Sequence, residues 1–185
     1  MISIDDFCSE NEACGEGWRW ADNNCKTMAE VWDTCERSDW IVWVASRSFD
    51  LHNKKVFACW CVRQVWDLLS EDRKKAAECA ELCLTSPSMM NLADVESARV
   101  SALMSDSGDE YSWFVIYCSR YCLDTVLHRN PGDLNGLWEV ACNCASSLGG
   151  YSDRGKIDLA AEIWNRMATY LRGLGNPFVA KESIK

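Results

Sequence analysis

The chain has 185 residues, 48% of them hydrophobic and 25% charged, a composition that excludes disorder as its main state and suffices for one self-supporting core. Its 28 acidic and 19 basic residues give a net charge of −9 at pH 7. A negative field disfavours direct binding to nucleic acid or to an anionic membrane, and it suits a basic protein partner. Eleven acids and four bases fall in residues 1–50, although simple solubility explains the same excess.

Twelve cysteines, in a chain whose first residues do not have the pattern of a signal peptide, predict free thiols in a reducing cytoplasm. Residues 1–16 hold five acids and lack the basic start and apolar run of a signal peptide. The longest apolar stretches, 40–45, 56–62 and 113–118, are far shorter than the ~20 residues that cross a bilayer.

Helical periodicity dominates the chain, and prolines and glycine clusters mark the breaks. The first predicted helix begins at Thr27, with Glu30 at capping-box spacing, and runs to about Arg37. Ser38 or Asp39 is predicted to cap the next helix. A third helix over 53–69 has a wide apolar face and is expected to be central.

Further along, Ser70 is expected to cap a helix over 71–84. Helices over 92–104, 110–127, 133–148 and 156–171 follow, and residues 175–185 are interpreted as a tail. These elements predict an all-α fold: a single domain spanning 1–185, built as an irregular bundle of about eight helices or as stacked helical hairpins. The predicted core residues are Val56, Trp60, Val115, Cys118, Cys122, Val140 and Ile163.

No motif in the sequence predicts a catalytic site, a metal site or a cofactor. The cysteine pairs at 59/61, 79/83, 118/122 and 142/144 lack C-x-x-C spacing, so we interpret them as small buried hydrophobes. The two histidines, His52 and His128, lie at predicted helix ends. An enzyme with a cysteine–histidine site in a helical cleft, and a cysteine-rich metal or redox sensor, remain the alternatives.

The candidate partner-binding residues lie in the acidic first quarter, with two tryptophans beside the acids. Tryptophan is enriched at binding hot spots, although the two side chains are also interpreted as a lid folded back on the bundle. The set is Asp5, Asp6, Glu10, Glu12, Glu16, Trp18 and Trp20.

A second group of charges marks a tight turn between two predicted helices. Asp33 and Arg37 are four residues apart in the favourable order, and Glu36 and Asp39 flank the same arginine. We interpret the four as a partly buried ion cluster that fixes the corner, with a recognition surface as the alternative. If the carboxylates are buried, losing Arg37 costs roughly 3–5 kcal/mol.

The segment around this turn resembles a helical immunity-protein family found in bacterial and phage genomes. The resemblance covers residues 10–85 and is carried by Trp32, Cys35, Glu36, Arg37, Asp39, Trp40 and Trp43. It implies a non-catalytic inhibitor that binds and neutralises a bacterial toxin or a defence effector. With the acidic first quarter, the expected partner is a basic nuclease, as for an immunity protein or a phage anti-CRISPR-type inhibitor.

Overall fold

The computed structural model describes residues 2–86, 92–104, 138, 140–142, 144–145 and 154–179. Across these residues the regular structure is helical throughout and includes no strand, which confirms the predicted all-α class. The predicted helix over 110–127 and most of that over 133–148 lie outside the described residues. The described helices are α1 (Ile4–Glu10), α2 (Gly15–Asn24), α3 (Met28–Thr34), α4 (Ser38–Ser48), α5 (Leu51–Gln64), a 3-10 helix (Trp66–Leu68), α6 (Glu71–Thr85), α7 (Leu92–Met104) and α8 (Arg154–Gly173).

Two helices, α1 and α2, precede the first predicted one. The hydroxyl of Ser3 caps α1 by accepting a hydrogen bond from the backbone amide of Asp6 at 3.0 Å. The thiol of Cys14 accepts the amide of Gly17 at 3.4 Å and closes the first turn of α2. Together these helices place the acidic first residues on a folded surface.

Thr27 caps α3 as predicted, with its hydroxyl 3.2 Å from the amide of Glu30. The helix ends at Thr34 rather than at Arg37, and α4 begins at Ser38. Neither Ser38 nor Asp39 is the cap: the cap position belongs to Arg37, which makes no side-chain capping bond. The predicted cap was wrong because the Ser38 hydroxyl donates to Asn165 instead.

The helices of the second quarter begin and end close to the predicted residues. The helix α5 begins at Leu51, capped by Asp50, rather than at Asn53, and it stops at Gln64 before the 3-10 helix. Ser70 stands at the cap of α6, although its hydroxyl makes no capping bond there. The observed bounds of α7 match the prediction.

The chain divides into two compact units, Met1–Phe49 with Trp164–Lys185 and Asp50–Ile163, while the prediction of a single domain stays a prediction. In the first unit the described core centres on Trp32, Ile41, Val42, Met167 and Leu171, each at most 2% exposed. Its last described residues are anchored, since the ring of Phe178 lies edge-on to Phe7 with centroids 5.4 Å apart.

In the second unit the described core confirms Val140 and Ile163, and it excludes two of the predicted residues. Val56 and Trp60 are half-buried, because the buried stripe of α5 runs one position further along. Val115, Cys118 and Cys122 lie outside the described residues. The buried residues of α5 are Lys54, Phe57, Ala58, Cys59, Cys61 and Val62.

Candidate functional site

Acidic side chains dominate the exposed surface of the first unit. Among its described residues, 2–49 and 164–179, the exposed bases are Arg19, Lys26, Arg37 and Arg166. The exposed acids are Asp5, Asp6, Glu10, Glu12, Glu16, Asp22, Glu30, Asp33 and Glu36. All five predicted partner-binding acids are in this set, so they are available to a partner.

The two predicted tryptophans are half-buried and held by their own unit. The indole N–H of Trp18 donates to the carboxylate of Asp5 at 2.9 Å, which joins α2 to α1. The ring of Trp20 lies against that of Trp40, with centroids 6.0 Å apart and planes inclined by 61°. Both indoles therefore serve the packing of α2 while part of each ring remains at the surface.

Glu12 occupies a strained backbone position in the turn between α1 and α2. Its φ is 56°, in the left-handed region. Its amide donates to Ser9 at 3.4 Å and that of Ala13 donates to Cys8 at 2.9 Å, the two bonds of a Schellman motif. Glycine is favoured there, because a Cβ costs roughly 1–2 kcal/mol in this conformation. The chain therefore keeps a carboxylate where the backbone favours no side chain.

The predicted ion cluster forms only in part, and it is exposed. Arg37 donates through Nε and Nη2 to the two carboxylate oxygens of Asp39, at 3.0 and 2.8 Å. Its Nη1 lies 3.5 Å from Glu16, and its guanidinium sits 4.5 Å from the centre of the Trp40 ring. The side chain of Arg37 is 52% exposed and that of Glu16 is 72% exposed.

The expected pair of Asp33 and Arg37 is absent from these contacts, because α3 ends between them. Asp33 instead accepts the side-chain amide of Asn176 at 3.1 Å, and Glu36 is exposed. The predicted cost of 3–5 kcal/mol therefore does not apply, because exposed ion pairs contribute about 0–1 kcal/mol.

Burial alone would raise the pKa of the Asp39 carboxyl. The hydrogen bonds and the positive charge of Arg37 act against burial, and the pKa lies below its ordinary value. The same contact, with the charge of Glu16, raises the pKa of Arg37. Both groups are consequently charged at neutral pH, and the paired surface keeps its fixed charges.

The side chain that holds this turn together is Arg172, near the end of α8. Its Nε donates to the carbonyl of Trp32 at 3.1 Å and its Nη2 to that of Cys35 at 2.6 Å. These carbonyls lie at the end of α3, where backbone acceptors have no partner within the helix. No spacing in the sequence predicts this contact; the only local signal is a basic residue in the last turn of a helix.

Asn176 extends the same contact beyond α8. Its side-chain amide donates to the carbonyl of Ala29 at 3.2 Å as well as to Asp33. The α3–α4 turn is thus fixed from the C-terminal segment, while Arg37 pairs on its exposed side.

A second arginine over a tryptophan ring lies in the other unit. Arg63 stands 3.8 Å from the centre of the Trp66 ring, and its Nε donates to Glu81 at 2.7 Å. Arg63 belongs to α5 and Glu81 to α6, so this pair joins two helices. The contact with Glu81 raises the pKa of Arg63.

The thiols confirm the expected burial for several of the paired cysteines. Cys59, Cys61, Cys83 and Cys144 are buried, and Cys79 and Cys142 are half-buried. Burial, followed by the neighbouring Cys83, raises the pKa of Cys79 to about 11. At neutral pH that thiol is almost entirely protonated, which disfavours nucleophilic attack or metal ligation there.

Of the two histidines, His52 is exposed and His128 lies outside the described residues. The described part of the chain contains no group of three or more histidine, cysteine or acidic side chains placed to hold a metal ion. Among the described helices, none combines the length and apolar character needed to cross a membrane.

Comparison with known proteins gives no family for this chain. No family model matches it, and neither does any curated protein or solved structure.

Proposed function

We propose that the chain is a non-catalytic inhibitor that binds a basic effector protein, a nuclease, through the acidic surface of its first unit. The proposal places it in the cytoplasm, within the immunity-protein family that the Trp32–Trp43 segment resembles. A phage inhibitor of a defence nuclease would use the same physics. Inhibition by occupancy needs shape and charge only, so no bond-making group is required.

The observation that carries the proposal is the exposure of the acids on α1 and its following turn. Asp6, Glu10 and Glu12 are exposed within seven residues, and only four bases are exposed on the described part of the unit. Such a field speeds encounter with a cationic protein, and raises its association rate most at low salt.

The conformation of Glu12 adds a second, independent argument. A glycine at this position would relieve the backbone strain. That a residue with a side chain stands there instead points to a function of that side chain. Glu12 lies between the acids of α1 and Glu16 of α2, so its carboxylate extends the same negative surface.

The test is affinity capture with charge reversal. The wild-type chain and the variant D6K/E10K/E12K serve as baits in a lysate of the source cells. Asp5 stays unchanged because it binds Trp18. We expect wild type to retain a basic protein that salt elutes, that rebinds stoichiometrically when purified, and whose nuclease activity it inhibits. The reversed variant should lose this protein.

The matched control is E71K/D72K/E78K, which makes the same change of charge on exposed acids of α6. Like Asp6, its residues Glu71 and Asp72 lie in the first turn of a helix, and Glu71 also pairs with Lys74, so the control disturbs its helix at least as much as the test variant does. Circular dichroism verifies that both variants fold. If both lose the partner alike, or neither does, the assignment to the first unit is wrong.

A further inference from the structure

The side chains around Arg37 form the kind of surface that recognises an arginine. Asp39 offers both carboxylate oxygens at 2.8–3.0 Å, Glu16 adds a second carboxylate at 3.5 Å, and Trp40 presents a ring face at 4.5 Å. A planar guanidinium satisfies all three, because its fork matches a carboxylate and its flat face stacks on an indole. A lysine ammonium satisfies the charge but not the fork or the plane.

Apart from Arg37, the ring of Trp40 has contacts with α2. The Trp40 ring packs against Trp20, and Gly17 lies beside it, where an added Cβ would stand in van der Waals contact at 3.7 Å. The ring thus keeps its orientation whether or not a guanidinium covers it.

Arg37 itself holds little of the structure in place. Its firm contacts are with residues two and three positions along its own chain, and over half of its side chain faces solvent. The turn is fixed by Arg172 and Asn176. Moving the Arg37 side chain into solvent therefore gives up its ion pairs with Asp39 and Glu16, both at the surface, and one ring contact.

We infer that Glu16, Asp39 and Trp40 form a guanidinium-binding site, which Arg37 fills in the free protein and yields to an arginine of the basic partner. The inference rests on the proposed function and names the contact within it. Because Arg37 fills the site in part of the molecules, the apparent affinity for the partner's arginine is the intrinsic affinity multiplied by the fraction of open sites. For an exposed pair this reduces the affinity by a factor of about two to five.

The experiment titrates the full chain with two peptides, Ac-(Arg-Gly)₄-amide and Ac-(Lys-Gly)₄-amide, by calorimetry at low salt. The variant R37A should bind the arginine peptide about two- to fivefold more tightly than wild type does. Removing any base also favours a cationic peptide, so K26A, another exposed base of this unit, is the charge-matched control. We expect R37A to exceed K26A for the arginine peptide and to equal it for the lysine peptide.

The position of binding is read from the indole N–H resonances, with Trp40 assigned by W40F. The arginine peptide should shift the Trp40 resonance in R37A, and D39N should weaken binding of that peptide at least as much as it weakens the lysine peptide. Equal gains for R37A and K26A, equal gains for both peptides, or an unmoved Trp40 resonance would each overturn the site.

Failure here is distinct from failure of the proposed function. If these peptides report no site while D6K/E10K/E12K still loses the captured protein, the acidic surface stands and the guanidinium site falls. If capture fails and the peptides still bind as described, the site stands without that partner.

Discussion

Two arginines lie at the α3–α4 turn, and their contacts contribute differently to the fold. On its half-buried side Arg172 donates to two backbone carbonyls across about 140 residues of sequence. On its exposed side Arg37 pairs with a carboxylate two residues away. A bond to an otherwise unpaired carbonyl stabilises the fold, whereas an exposed local pair hardly does. Stability and recognition are therefore separable within one turn.

The largest expected effect is at Arg172. In R172A the carbonyls of Trp32 and Cys35 lose charged donors, and the free energy of unfolding should fall by about 2–4 kcal/mol. Urea denaturation measures it. R172K, which has a single ammonium in place of the fork, should recover part of the loss. A loss below about 0.5 kcal/mol in R172A would remove the distinction between the two sides.

Arg63 provides the reference, because it also lies over a tryptophan ring but its ion pair with Glu81 joins two helices. R63A should lower the free energy of unfolding by about 1–2 kcal/mol, because the ion pair to Glu81 and the contact with Trp66 are both lost. R37A should lose less, at most about 1 kcal/mol, since its pair to Asp39 is local and its contact with Glu16 is longer, at 3.5 Å, and exposed. The reverse order in parallel urea titrations would mean that Arg37 is structural.

Glu12 is expected to act against stability. E12G should raise the free energy of unfolding by about 0.5–1 kcal/mol, because relief of the left-handed strain exceeds the added chain entropy. E10G, in the last turn of α1, is the control and should lower it. If E12G is neutral or destabilising, strain no longer argues for a use of its carboxylate.

The smallest expected effect is on pH dependence. The pKa of Asp39 is lower in the folded chain, so its pairing stabilises the fold above the ordinary value of about 3.9 and is lost as pH falls through the lowered pKa. Wild type should therefore lose slightly more stability on acidification than D39N does. R37A should also lose less than wild type does, because Arg37 contributes more to the lowered pKa than the backbone amides of Trp40 and Asp39 do. Acid profiles unchanged in both variants would contradict the pairing.

Local rules predicted what local contacts determine. The Thr27 cap and the bounds of α7 follow from neighbouring residues, and the structure has both. The end of α3 and the cap of α4 did not follow, because the contacts of Arg172 and Asn165 come from the other end of the sequence. The helices α1 and α2 were missed because 7 and 10 residues, rich in acids and glycine, show too short an apolar pattern.

The candidate site divides in the same way. Charge counting located the acids of α1, whose exposure the structure confirms. The predicted pairing of Asp33 with Arg37 assumed one continuous helix, and that assumption was wrong. The assembly of Glu16 with Asp39 and Trp40 needed α2 to pack on α4, which no spacing in the sequence specifies.

The most direct test of the central claim is the association rate between the chain and the basic protein that it retains, measured by stopped flow at low and at physiological ionic strength. Electrostatic attraction to the first unit predicts a rate that falls steeply with salt, and that D6K/E10K/E12K lowers far more than E71K/D72K/E78K does. A rate insensitive to salt and to both sets of substitutions would contradict the claim.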